Sequence, residues 1–508
     1  ELTCRDWSSD VCSSDLLLNH FHDVLPGSSI PEVYDDVYEM WQECDKALDQ
    51  LIKEGLAQVK SEGDNNVQVF NPLPWKRKTR IFIPHYAIDQ HYNLDESGKP
   101  PYATLVLNGT DLPEKIVCQP VAAEYEDKMK NNPAGWWAIV EVPAYGILAG
   151  KINIEPYQGP MLFGEIDPIP RISNGILNVE LDPKTGAVVE LKAAGIEHGD
   201  NLVRGKHTGL IYGYIEGDKM YPAWNLTPEY WKHPKNYAQN NGVSLKIVDK
   251  GPVFVSLAIQ KTLGISQITT TVRLFKEDPL VYWMWQSDWR EIDVMLKMLF
   301  ETNTQATAVT MDEMYCALQG STLPQTSCDK ARYEKIMHEY ADLSSPNNAW
   351  GIALINEGKY AFDASSDRIR LTLHRSPQYP APSGEAWVHK ERVERFNKDG
   401  SRVPLNIGIG PTSARFALYP HQGGALRDMR NKATGSVKKR AAEFNNPVIV
   451  SKLVAPNAGG CELKKMDFYL PDNVMITSMK QKEWDSAKSI IIRLNEICGI
   501  PETNATIL

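Results

Sequence analysis

From Val67 onward the apolar residues of this chain recur at every second position, and short polar turns interrupt the alternation repeatedly. Successive side chains of a strand point to opposite faces, so a segment of this kind is stable only in a sheet with one face on a core. Leu177, Val179 and Leu181 alternate with Asn178 and Glu180, turn at Asp182–Gly186 and return through Ala187, Val189 and Leu191. Ile268, Thr270, Val272 and Leu274 break at Lys276–Pro279 and resume as Val281, Trp283 and Trp285. Trp350, Ile352 and Leu354 lead through Asn356–Lys359 to Tyr360 and Phe362, and Ile369, Leu371 and Leu373 repeat the pattern. Many strands joined by short turns predict packed antiparallel sheets.

One segment has a different period. Ser29 and Glu32 show the S-x-x-E spacing of a capping box, and Pro31 sits in the first turn, where its missing N–H costs little. Val33, Val37, Met40, Trp41, Cys44, Leu48, Leu51 and Ile52 follow at three- and four-residue steps, the stripe of one amphipathic helix. A single helix cannot bury its own stripe, so packing partners are expected outside this segment. The Pro-rich Phe70–Trp75 marks the change from helix to sheet, and Tyr157–Pro160 reads as a joint between a smaller β domain and a larger one. The Pro-, Lys- and Glu-rich stretch 376–403 reads as a surface excursion.

At 508 residues the chain exceeds what one core fills, so two or more domains are expected. The net charge of -10 argues against a nucleic-acid or anionic-membrane partner, both of which select for surplus Lys and Arg. No run of about eighteen apolar residues predicts a transmembrane helix. The eight cysteines, at 4, 12, 44, 118, 316, 328, 461 and 498, form no CxxC pair, and reduced thiols in a cytoplasmic setting are the better reading. Asn108–Thr110, Asn225–Thr227 and Asn504–Thr506 have the glycosylation pattern, but no secretory signal accompanies them and they read as chance.

The stretch Leu17 to Ile30, with His20, Phe21, His22 and Asp23 inside it, resembles the zinc-ligand segment of family 38 α-mannosidases. The resemblance continues in order through Phe70–Trp75, Asn174–Gly186, Ala223-Trp224-Asn225 with Tyr230, and Asp288–Glu291 with Leu296-Lys297. Ala331–Glu334 with Tyr340–Ser344, Gly351–Tyr360, Leu371–Pro377 and Arg415–His421 complete it. It covers nearly everything after residue 16; each motif is modest, but their order and spacing together are specific. The Phe21-His22 form is closer to the bacterial and cytosolic or vacuolar branch than to the Golgi or lysosomal one, which has a double histidine here. His338-Glu339 departs from the pattern, since relatives more often carry a basic residue there. Residues about 5–16 instead resemble a translated sequencing adapter, Asp6–Asp15 back-translating into its bases in one frame, and 1–15 are read as a non-native tail.

The resemblance implies a mainly β fold. A short α-helical segment, the remnant of a three-helix bundle, would cover 16–62, a small β-sandwich 63–158, and a large antiparallel β supersandwich, truncated at its end, 159–508. It implies the C-terminal portion of an enzyme whose catalytic α/β barrel precedes these residues. Enzymes of the family are zinc-dependent retaining α-mannosidases: a carboxylate attacks the anomeric carbon, a second acid protonates the leaving oxygen, and water later releases the sugar. Their Zn2+ is held by two His and two Asp, one Asp doubling as nucleophile, and it orients sugar hydroxyls. Only His22 of that set is carried over as a metal ligand. No catalytic residue lies in this chain, and alone it is expected to be inactive.

Without the resemblance His22 is weak, because zinc requires three or four ligands and only His20 and Asp23 lie nearby. A buried or capping histidine is the commoner outcome. Asp23 is read as the hydrogen-bonding partner that positions His22, with helix capping of comparable weight. Trp224, Tyr230, Trp231 and Trp289 are candidates for sugar stacking, but 13 Trp spread over mostly β segments favour core filling. The implied substrate is a mannose-containing oligosaccharide, and homo-oligomerisation stays open. The alternative function is a non-catalytic carbohydrate-binding β-sandwich module.

Overall fold

The computed structural model describes residues 16–59, 65–88, 92–108, 115–125, 131–196, 201–216, 221–235, 237, 242–379, 406–426, 436–453, 468–471, 473–482, 489–497 and 506–507. The stretch read as adapter-derived lies outside the described residues up to residue 15, as does most of the 376–403 excursion.

The alternation becomes sheet. A nine-stranded antiparallel sheet runs, in spatial order, Ser244–Lys250, Phe254–Leu263, Ser266–Phe275, Val281–Trp289, Gly410–Gln422, Trp350–Glu357, Tyr340–Ser344, Ala308–Glu313 and Cys316–Ser321. One face packs on a six-stranded sheet, ordered Pro234–Lys235, Leu210–Ile215, Val294–Glu301, Arg368–Arg375, Ala361–Ser365 and Lys335–Ile336. A four-stranded sheet of Phe163–Glu165, Arg171–Ser173, Leu177–Leu181 and Val188–Ala193 closes the same core. Alternate residues interdigitate there: Val255, Leu257 and Ile259 with Trp283 and Trp285, and across from them Leu296, Met298 and Phe300. In the predicted 177–191 hairpin the strict period fails once. A register shift at Glu180/Leu181 accompanies burial of both Ala187 and Val188, and Val189 is left half-buried.

The opposite face of the nine-stranded sheet is covered as well over its inner strands. Phe254, Phe275, Tyr282, Ile355 and Tyr419 pack against Val437, Ala441 and Phe444 of helix Val437–Asn445, and Phe82, Trp137 and Ile139 approach from a second β unit. That unit is one seven-stranded ladder folded around its own core, in the order Arg77–Pro84, Gly135–Val142, Ile116–Val121, Ala103–Leu107, Ile147–Ile154, Val67–Phe70 and Ile449–Lys452. Its last strand arrives from far along the chain and pairs with Val67–Phe70. Gln119 fixes the junction from the other side: its side-chain oxygen accepts from the amides of Val253 and Phe254, both at 2.9 Å, and its nitrogen donates to the Phe254 carbonyl at 3.0 Å.

The predicted helix spans Pro31–Ala57, with Pro31 at its first turn. The Ser29–Glu32 capping box does not form. Ile30 is the N-cap without a side-chain cap, and the Ser29 amide donates to the Tyr34 hydroxyl instead. Of the predicted stripe Val37 and Cys44 are buried, whereas Trp41, Leu48 and Ile52 stay exposed. Two helices appear that the period did not show, Ser327–Ala331 and Val437–Asn445. The first carries the reciprocal capping box, between Thr326 and Asp329. Among the described residues no helix is long and apolar enough to cross a membrane, and Cys44, Cys118, Cys316 and Cys328 are free thiols.

Replacing Gln119 with Leu leaves two amides at the junction without their acceptor, at about 1–3 kcal/mol for each buried unsatisfied group. The expected result is a lowered thermal midpoint together with faster amide exchange at Val253 and Phe254. An unchanged midpoint would show that apolar contacts alone hold the two β units together.

Candidate functional site

The 19–29 loop is tied to the helix that follows it. Asn19 is buried and its amide approaches the Met40 sulfur at 3.9 Å. The Tyr34 hydroxyl accepts from the Ser29 amide at 2.9 Å and donates to the Asp23 carbonyl at 3.3 Å. Gly27 closes the loop at a φ of 77°, a left-handed conformation that glycine adopts without strain. The loop presents His22 to solvent, its side chain 76% exposed, with Nε2 3.3 Å from Asp23 Oδ2. Asp23 Oδ1 in turn accepts from the Ser28 hydroxyl at 3.4 Å. His20 is exposed and makes no part of this arrangement.

Two adjacent donors fall short of the three or four that zinc takes. Among the described residues no group of three or more His, Cys, Asp or Glu could hold a metal ion. The residues present therefore fit one corner of a zinc site and not the whole of it.

The four aromatic candidates divide. Trp289 and Tyr230 are buried, Trp289 donating to the Ser376 hydroxyl at 3.2 Å inside the sandwich. Trp224 and Trp231 are exposed, so core filling describes only half of the set. Trp224 stacks on Tyr221 with centroids 5.9 Å apart, and its indole nitrogen donates to the Ser28 carbonyl at 3.4 Å. That contact seats the His22 loop on the 221–225 turn. The turn is anchored in its own right, since Arg375 donates to the carbonyls of Pro222 and Asn225 and is paired with Glu216.

Behind the turn lies a buried charge cluster that reasoning from sequence missed. Strand Val294–Glu301 sends Leu296, Met298 and Phe300 into the sandwich, so Lys297 faces the outer side of the six-stranded sheet, yet it is fully buried. Its ammonium donates to both Glu334 oxygens at 2.8 and 2.7 Å and to Asp363 Oδ2 at 2.7 Å. Arg370 donates to Asp363 from the next strand, Thr372 donates to Glu334, and Tyr230 donates to Asp363 at 2.8 Å. Burial alone would raise the Asp363 carboxyl, but Lys297 and Arg370 outweigh it and hold the group below its ordinary range. The Tyr230 hydroxyl is pushed far up, first by burial and then by Asp363 and Glu334. The available signal was one lysine inside the apolar run Val294-Met295-Leu296-Lys297-Met298-Leu299-Phe300. Lys297, Glu334, Thr372 and Tyr230 also each belong to a motif of the resemblance described above.

Comparison with known proteins gives the same family for both parts of this arrangement. Residues 172–383 match the glycosyl hydrolases family 38 C-terminal domain. Residues 8–59 match the alpha mannosidase middle domain, a match that begins inside the stretch read as adapter-derived. Human alpha-mannosidase 2C1 is 22% identical over 495 residues, covering 95% of this chain and 40% of the relative. The mouse protein of the same name is 24% identical over 414 residues, covering 79% of this chain and 35% of the relative. The crystal structure of an alpha-mannosidase from Enterococcus faecalis V583 superposes with a TM-score of 0.68 at 14% identity, covering 96% of this chain and 58% of that one, which shows a shared fold. The chain thus carries the family 38 C-terminal and middle domains, and its homologues are α-mannosidases. It spans well under half the length of these mammalian relatives.

Lys297→Met leaves Glu334 and Asp363 without their shared cation, a change expected to cost about 3–5 kcal/mol. The cost is pH-dependent. Asp363 has a folded-state value below its unfolded one, so its contribution is in place above about pH 4 and is lost as pH falls through the lower, folded value. Thermal melts from about pH 7 to pH 3 should therefore show the wild-type and Lys297→Met midpoints converging on the acid side. A constant gap across that range would mean that Lys297 contributes packing alone.

Proposed function

We propose that this chain is the helical and C-terminal β portion of a zinc-dependent retaining α-mannosidase acting on mannose-containing oligosaccharides in the cytoplasm. The observation that carries the proposal is the seating of the His22 loop on the 221–225 turn. That contact joins the segment matching the middle domain to the segment matching the C-terminal domain, so one presents a histidine on a surface the other braces. In this reading His22 Nε2 supplies one ligand and Asp23 positions the imidazole. The remaining ligands, the nucleophile and the acid come from a preceding catalytic domain, which fits the share of each relative's length that the chain covers. Cytoplasmic placement is supported by Cys44, Cys118, Cys316 and Cys328, which form no disulfide among the described residues.

The second reading, a non-catalytic carbohydrate-binding module, is favoured by the exposed Tyr221–Trp224 pair. The two readings separate in one experiment: the chain is fused in register at Leu17 behind the catalytic barrel of a close relative. Hydrolysis of an aryl α-mannoside that is lost with a chelator and restored by Zn2+ is expected, with His22→Ala losing bound zinc measured by atomic absorption. A folded fusion without hydrolysis would sink the enzyme reading. The unfused chain is expected to hydrolyse nothing and to bind Zn2+ more weakly than micromolar by calorimetry, because one histidine and one carboxylate leave the first shell incomplete. Submicromolar binding that disappears in His22→Ala would overturn that expectation.

A further inference from the structure

The edges of the two large sheets differ in how they are protected. The six-stranded sheet ends on both sides in strands of two residues, Pro234–Lys235 and Lys335–Ile336. One edge of the nine-stranded sheet, Ser244–Lys250, carries Lys246, Asp249 and Lys250. Short strands and charges are the usual means of keeping an edge from pairing with another chain. The other edge, Cys316–Ser321, has neither: its six residues include no charge and no proline. It is laddered on one side to Ala308–Glu313, and among the described residues no other strand pairs with it. Met314 and Tyr315, in the turn before it, are 68% and 48% exposed, Leu318 within it 50%, and Leu323 just after it 57%. Arg493 donates to the Tyr315 hydroxyl at 2.6 Å and ties that turn down. The neighbouring Asn495–Ile497 share a cavity with Asp312, Tyr340 and Lys438, so they lie over the face of the sheet and leave its edge open.

The occupant that fits this edge is a second copy of the chain. An uncharged strand has nothing to select a partner of opposite sign. Rotation about a two-fold axis normal to the sheet, in contrast, lays the strand antiparallel to itself, the direction of every ladder in this sheet. That operation brings Met314 and Tyr315 near the second copy's Leu323, and it sets both Leu318 side chains on one face beside the axis. The exposed apolar positions fall at the two ends and the middle of the edge, which is the arrangement self-pairing requires. A preceding domain would arrive elsewhere, since the His22 loop is seated on the 221–225 turn, outside the six-stranded sheet. We propose that Cys316–Ser321 pairs with the same strand of a second copy, joining two nine-stranded sheets across a two-fold axis, whether or not the chain is part of a mannosidase.

The test is analytical ultracentrifugation of the whole chain from about 1 to 100 μM, where a monomer–dimer equilibrium is expected, because an interface built on one strand pair lies at the small, weak end of the range. Leu318→Lys and Leu318→Glu each place like charges beside the axis and are expected to weaken dimerisation at least about tenfold. Both leave the thermal midpoint of the dilute monomer unchanged, because the position is exposed. An equimolar mixture of the two variants is expected to recover the dimer. Cys316 is an exposed thiol within the strand and reports the pairing directly: its alkylation, read by peptide mass spectrometry, should slow as protein concentration rises. Any of three results overturns the proposal: a wild-type chain that stays monomeric throughout, a dimer indifferent to both variants, or Cys316 alkylation independent of concentration. In the barrel fusion, a monomer whose Cys316 is protected at every concentration would assign the edge to the preceding domain and overturn it equally.

Discussion

The central strands of the nine-stranded sheet are covered on both faces, and the rest of the molecule is arranged around that fact. One face meets the six- and four-stranded sheets across a core holding Trp283, Trp285 and Phe416, and the other meets helix Val437–Asn445 and the seven-stranded ladder. Central strands therefore lose the polar positions that a half-exposed strand would keep. In Trp350–Glu357 the first seven residues are all buried, which is the near-continuous apolar pattern expected of strands covered on both sides. Each large side chain so buried contributes roughly 1.5–3 kcal/mol. The two β units thus share apolar surface through the outer face of this one sheet, and the Gln119 contacts to backbone at Val253 and Phe254 fix their register within it.

The six-stranded sheet does the opposite with its outer face. There Lys297, Asp363, Arg370 and Thr372 make a buried polar layer, completed by Glu334 and Tyr230 from the connecting segments. Buried ion pairs of this kind add little net stability, because desolvation offsets most of the attraction. What they confer is orientation: every oxygen of Glu334 and Asp363 is spoken for, so Tyr230 and the turn before it have one seat. Trp224 projects from that turn to the Ser28 carbonyl, and the His22 loop takes its place from there. A chain of specific polar contacts therefore leads from the sheet to an exposed histidine. The helix Pro31–Ala57, in contrast, is held loosely, with Trp41, Leu48 and Ile52 exposed along its stripe.

The sheets and the long helix were legible in the sequence because period two, period 3.6 and turn residues are local properties that each segment displays by itself. The capping box at Ser29–Glu32 was misplaced for a local reason too, since the Tyr34 hydroxyl competes successfully for the Ser29 amide. Val189 was assigned inward because a two-residue period has no means of announcing a bulge. By sequence alone, then, the mainly β character, the single leading helix, the turns and the ordered motifs with His22 among them were determined. The tertiary structure decided what depends on residues far apart in the chain. Lys297 finds Glu334 and Asp363 at separations of 37 and 66 residues, and Ile449–Lys452 completes a sheet begun at Val67. Pairings at such distances leave no periodic trace, because their stability comes from mutual burial that exists only once the chain has folded.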